Sequence, residues 1–292
     1  MHGWFMHGID SMGIQMLRLF AAIPAVVLIT GCAGHLFADK ADNRLTTLAT
    51  ELDRKGDTAS AIALYERAAM AMPNNPDILL ALGRAYLRNN DPQSATTAFQ
   101  QAYRLQEGAP RALLGLGQAA LMEGRVKRAN DLIAQAAPAL NTFGAYNLLG
   151  ISRTLNGEID AAMSAFHSAQ QLAPANLEIK TNEALANALA GQSAVAIEQV
   201  SAVTTSPLAE THHTRRAILI LMLAGDDEQA LALTRELPES ERASLISRAQ
   251  HIRELPTVVE KAAAIGITTS LRAPGPAGSI SSPSSKDLPA AQ

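Results

Sequence analysis

The chain has 292 residues and a net charge of −3, with 48% apolar but only 4% aromatic residues. That balance fits helices packed on Ala and Leu and speaks against a β-sandwich or barrel; with no basic run, it also speaks against nucleic acid as a partner. One cysteine excludes an internal disulfide and a Cys-x-x-Cys metal site.

The first fifteen residues, MHGWFMHGIDSMGIQ, carry Asp10 and no Lys or Arg, and include Met6 and Met12 as well as Met1. They fit no signal pattern, and translation is expected to begin at Met16, leaving Trp4, the only Trp, outside the folded protein. From Met16 the sequence reads MLRLFAAIPAVVLITGC: Arg18 is a thin positive region and Leu19 to Thr30 is apolar. This stretch is shorter than the roughly 20 residues a membrane-spanning helix needs, and reads as a signal peptide. Ile29-Thr30-Gly31-Cys32 resembles the lipobox of bacterial lipoproteins. The resemblance implies a diacylglyceryl group on Cys32, cleavage before it and acylation of the new amine; two or more acyl chains anchor stably. Ala33 follows the cysteine, which in Gram-negative lipoproteins implies the periplasmic face of the outer membrane, since Asp there is the usual inner-membrane retention signal. The alternative is an ordinary secretory signal with an accidental Cys. Residues 1–31 are thus read as leader and signal peptide, and 32–41 as a lipid-proximal spacer.

Residues 42–240 read as repeated helix–turn–helix units. A turn residue recurs at Gly56, Asn90, Gly124, Gly157, Gly191 and Gly225, spaced 34, 34, 33, 34 and 34 apart. A small residue recurs in step at Ala61, Ala95, Ala129, Ala162, Ala196 and Ala230. In unit 42–75, Leu45, Leu48, Ala49 and Leu52 are expected to face inward, answered by Ala61, Tyr65 and Ala68, with Pro73 closing the unit. Unit 76–109 carries Leu79, Leu82, Gly83, Tyr86, Ala95, Phe99 and Ala102. Unit 110–142 keeps Leu113, Leu116, Gly117 and Ala129, with Ile133 in place of the aromatic; Pro138 is expected to cut its second helix short and so cause the spacing of 33. Unit 143–176 is the sharpest, with Tyr146, Leu149, Gly150, Ala162, Phe166, Ala169 and Pro174. Unit 177–208 is degenerate, with Lys180 and Glu183 where an aromatic and Leu belong. Unit 209–240 keeps the turn Gly225-Asp226 and Ala230, and its first helix, Arg216 to Ala224, is apolar enough to be buried on several sides.

This pattern, with a period of about 34 residues, resembles the tetratricopeptide repeat (TPR). The fold class is therefore all-α, a TPR α-solenoid of about six helix–turn–helix repeats with a C-terminal capping helix. Residues 241–267 are assigned to the cap: Glu239 to Glu254 is periodic through Ala243, Leu245, Ile246, Ala249 and Ile252, Pro256 breaks it, and Val258 to Ile265 adds a short last helix. Residues 268–292 turn to Ser, Pro, Gly and Ala and are expected to be disordered.

Catalytic signals are weak. His212-His213 suggests a metal pair, but neighbours on a helix point in different directions, and a polar helix start is the favoured reading. His167 and His251 lack acidic or Cys partners at helical spacing, and no Gly-x-Ser-x-Gly elbow or Gly-rich phosphate loop occurs. The expectation is a protein that is not an enzyme, with no metal and no cofactor beyond the covalent lipid on Cys32.

The TPR resemblance implies that the first helices of successive units line a concave groove. By repeat phase its open side carries Arg84, Leu87, Arg88, Arg111, Leu114, Gln118, Leu121, Asn147, Ile151 and Leu185. The Arg side chains suit carboxylates and Asn147 a peptide backbone. Three segments go further: Tyr146 to Ile151 with Asn156-Gly157; Thr181 to Ala186 with Ala190-Gly191; and Arg215 to Gly225, Ala230 and Glu236-Leu237-Pro238 to Leu255. Together they resemble TadD, the TPR lipoprotein family of tight-adherence (Flp-type) pilus systems, over residues 42–255. Ala217-Ile218, where that family usually shows Asn-Leu, and Glu183 depart from it. The resemblance implies a scaffold assisting pilus assembly, with a secretin or another assembly component as protein partner. The alternatives are a pilotin-like or other envelope-assembly lipoprotein, or a regulatory partner of a cell-wall or polysaccharide enzyme.

Overall fold

The computed structural model describes residues 44–265, apart from the side chain of Glu236. Cys32, the signal peptide, the spacer and the tail lie outside the described residues. Helix α1 covers 44–54, followed by α2 (Thr58–Ala71), α3 (Pro76–Arg88), α4 (Pro92–Leu105), α5 (Pro110–Met122), α6 (Val126–Leu140) and α7 (Phe143–Leu155). Then come α8 (Ile159–Leu172), α9 (Leu177–Leu189), α10 (Ser193–Thr204), α11 (Thr211–Ala224), α12 (Asp227–Leu233), a 3-10 turn at Thr234–Glu236, α13 (Glu239–Glu254) and α14 (Val258–Ile265). Among the described residues there is no strand, and no helix is long and apolar enough to cross a membrane.

Local chemistry sets the helix ends. The Asn75 side chain accepts from the backbone N–H of Asp77 and Ile78 at 3.0 and 3.4 Å, and Asp91 accepts from Ser94 at 3.0 Å. Each is followed by a proline at the first helical position, where a missing N–H costs nothing. All six turn residues of the repeat have left-handed backbones, from φ 60° at Asn90 to 89° at Gly225.

The hairpins close on the small residues. Ala61, Ala95, Ala129, Ala162, Ala196 and Ala230 are all 0% exposed. A Cβ on Gly150 would fall 2.5 Å from the Phe166 ring, one on Gly83 2.6 Å from Phe99, and one on Gly117 2.4 Å from Ile133. Ring and glycine therefore fit as one shape, which is why the aromatic and the glycine recur together. Successive hairpins stack through their first helices: α3 packs on α5, α5 on α7, α7 on α9 and α9 on α11. These helices form the inner wall of the solenoid.

Four expectations need correction. Pro138 does not cut α6, which runs on to Leu140; a proline in the last turn forfeits one backbone bond and is exposed here. The spacing of 33 arises instead because Asn141, in a left-handed cap at φ 46°, replaces the longer loop between units. Leu48 is 52% exposed, because in α1 it is Ala49 that points into the core. Helix α11 begins at Thr211, five residues before Arg216, because its polar start is capped, as described below. Ala243 is exposed on α13, whose buried contacts are Ala249 and Ile252. The apolar part of α11 is buried on several sides, from Ala217 through Met222. Glu183, in the place of a core Leu, is half-buried and hydrogen-bonded by Gln170; burial raises its pKa.

Candidate functional site

The inner wall divides into two halves of different chemistry. On α3 and α5 the residues assigned to the groove by repeat phase, Arg84, Leu87, Arg88, Arg111, Leu114 and Gln118, are all exposed or half-buried. On α7 and α9 the corresponding surface is apolar and covered: Ile151 is 3% and Leu185 2% exposed.

In the open half the three arginines differ. Arg88 reaches back one repeat and grips Asp53 of α1 with both arms; its Nε donates to Asp53 Oδ1 at 2.7 Å and its Nη2 to Oδ2. Arg111 Nη1 lies 3.9 Å from Asp77 Oδ1, with both side chains exposed, a contact of little energetic weight. Arg84 has no ion-pair partner among the described residues. The surrounding wall, and then the charge of Arg88, lower its pKa below the ordinary guanidinium value, although water reaches the side chain. It stays charged at any physiological pH. A cation without an ion-pair partner is suited to a carboxylate.

Structure corrects five of the expected groove contacts. Arg88 is occupied by Asp53. Leu121 (1% exposed), Ile151 and Leu185 are core residues with no side-chain surface to offer. Asn147 is already engaged, accepting from Asn182 Nδ2 at 3.0 Å.

That last contact opens a polar ladder across three inner helices. Asn182 Oδ1 in turn accepts from Arg216 Nη2 at 2.8 Å, and Arg216 Nη1 donates to Glu178 Oε2 at 2.9 Å. Glu178 Oε1 accepts from His212 Nε2 at 2.6 Å. Burial lowers the Arg216 pKa while the Glu178 carboxylate opposes that shift. The ladder ties α7, α9 and α11 in register and satisfies charge that the apolar wall would otherwise strand. Sequence reading missed it, yet a signal existed: Asn182 and Arg216, like Glu178 and His212, stand 34 residues apart, in one column of adjacent units.

The two histidines converge after all: their ring centroids lie 3.9 Å apart, and both reach toward Glu178. His212, His213 and Glu178 bring one ligand atom each within 4.8 Å of one another. The tautomer argues against a metal. His213 Nδ1 accepts the backbone N–H of Glu210 at 3.0 Å, which caps α11, so the neutral ring carries its proton on Nε2. A metal-bound histidine has the reverse arrangement, its free nitrogen donating. The cluster is a carboxylate clamp at a helix start. Burial, then the neighbouring His212, lower the His213 pKa. Unfolded His213 thus takes a proton first on acidification, and stability should fall as pH drops below about 6.5, levelling off once the folded ring also titrates. Urea midpoints between about pH 5 and 7 should show this slope, and His213→Gln, which retains an acceptor for the cap, should flatten it.

The sequence profile of the Cilia and flagella-associated protein 70 middle TPR-like domain matches residues 45–269. No curated protein matches the chain. Among solved structures the chain is similar to PilW, described as a widely conserved type IV pilus biogenesis factor, with TM-score 0.63 and 19% identity over 71% of this chain and 98% of that one. PilF of Pseudomonas aeruginosa gives TM-score 0.57 and 16% identity over 72% and 98%. A thermophilic TPR protein of Thermus thermophilus gives 0.50 and 18% over 70% and 99%. At these identities the likeness is one of fold: stacked helix hairpins with an extended concave face, an architecture that serves protein binding.

Proposed function

Since the chain belongs to the Cilia and flagella-associated protein 70 middle TPR-like domain family, we propose that it is a non-catalytic docking scaffold whose inner wall holds protein partners. The ciliary setting in that name describes another protein; what passes to this chain is the TPR-like architecture. The observation that carries the reading is the open half of the wall, where Arg84 is exposed with no ion-pair partner among the described residues and Leu87 and Leu114 are only half-buried. In the fuller proposal, Cys32 is acylated and holds the solenoid on the periplasmic face of the outer membrane, where it assists assembly of a tight-adherence pilus machine. The motif at Cys32 and the TadD-like segments support this. PilW and PilF share the fold, which favours a second reading: a scaffold for type IV pilus biogenesis.

Purification of the tagged full chain from its native envelope tests both. A co-purifying secretin or prepilin of the tight-adherence class supports the first reading, and type IV pilus components support the second. A glycan-processing enzyme as sole partner overturns both. Cys32→Ser should abolish outer-membrane fractionation; unchanged fractionation would remove the lipid anchor.

A further inference from the structure

The apolar half of the inner wall already has an occupant. Helix α14 turns back from the end of the array and packs on α7 and α9, the inner helices of two earlier hairpins. Its Val259 lies against the α7–α8 turn, where a Cβ on Gly157 would meet Val259 Cγ2 at 3.4 Å. Ala262 and Ile265 are buried in the same cluster as Ile151, Leu155, Leu185 and Leu189, with Val258 packed at its edge. Val258, Ala262 and Ile265 are spaced i, i+4, i+7, one stripe of a helix. An amphipathic helix laid into an apolar groove by such a stripe is a recurring mode of protein recognition.

Its buried side-chain surface is small. Helix α14 has eight residues and two buried side chains, whereas α9 buries ten. Eight residues are too few to hold a helix in water without support, so α14 depends on the wall for its conformation. It joins α13 through Leu255, in an extended conformation, and Pro256, and its far end is held by Arg248 of α13, which donates to the backbone carbonyls of Ala264 and Ile265.

We propose that α14 is an intramolecular ligand of the groove, displaced by a partner helix bearing the same i, i+4, i+7 stripe of small and β-branched apolar residues. This deepens the docking reading above, and rests on it in taking the inner wall as the surface partners use. The polar half would then receive partners directly, and the apolar half only after α14 leaves. Such a cis occupant lowers apparent affinity by the fraction of molecules in which it is seated.

Two measurements on the full chain test this. Hydrogen exchange should find the amides of 258–265 opening at least about 100-fold faster than those of α9, as a unit that leaves without global unfolding. Equal protection would make α14 a permanent part of the core and overturn the proposal, while leaving the pilus reading untouched. The second measurement uses a labelled peptide of residues 255–265. Ala262→Glu with Ile265→Glu should eject α14 and let the peptide bind at least about tenfold more tightly than to wild type. Equal binding by a folded variant would overturn the proposal, and if the variant fails to fold, exchange in the wild-type chain decides.

Discussion

Truncating Phe166 to Ala is expected to destabilise the array by about 3–5 kcal/mol, the usual cost of removing a buried aromatic. The ring is 1% exposed and fills the space beside the first helix of its own hairpin. The reciprocal change is more telling. Gly150→Ala in a helix interior ordinarily gains about 1 kcal/mol from propensity. Here the new methyl would stand 2.5–2.7 Å from three carbons of the Phe166 ring. Overpacking of that kind costs about 1–3 kcal/mol, so the wild-type chain should lose stability. Against Phe166→Ala the ring is gone, and Gly150→Ala should turn stabilising. A double-mutant cycle by urea unfolding reads the sign change directly. If Gly150→Ala stabilised the wild-type protein, the close approach of α7 and α8 would be refuted.

The pairing of glycine and ring is legible in the sequence because it is local and repeats. A turn residue and a small residue in step fix the hairpin, and each new unit tests the same geometry again. Contacts between units are harder to read, because they depend on which side of each helix meets its neighbour. Position alone assigns Arg88 to the groove, whereas Asp53, one unit earlier, takes it. Comparing columns between adjacent units exposes that pair and the Asn182–Arg216 rung, each separated by 34–35 residues. Ile151 and Leu185 mislead for another reason. Their phase does put them on the inner wall, but nothing in a short Val/Ala helix after Pro256 says that it folds back over two earlier hairpins. The direction of a side chain follows from periodicity; whether another part of the chain already sits on it does not.

Reversing charge at Arg84 and Arg111 together should therefore separate binding from folding. Both side chains are exposed, and Arg111 has only its long contact with Asp77 to lose. Stability should stay within about 0.5 kcal/mol of wild type. Capture of an acidic partner should drop by roughly tenfold or more, and the wild-type interaction should itself weaken as salt rises. Arg88→Glu should behave in the opposite way. Its pair with Asp53 is largely covered, with 26% and 14% of the two side chains exposed. Glu there sets two carboxylates against each other between the first and second hairpins, at a cost of about 2 kcal/mol or more. Thermal unfolding should therefore show the loss for Arg88→Glu alone, and partner capture the loss for Arg84→Glu with Arg111→Glu. If the exposed double variant captured its partner at wild-type levels, the open half of the wall would not be the docking surface. If Arg88→Glu unfolded like wild type, the grip on Asp53 would carry no structural weight, and Arg88 would return to the groove beside Arg84 and Arg111 as a further cation for partners.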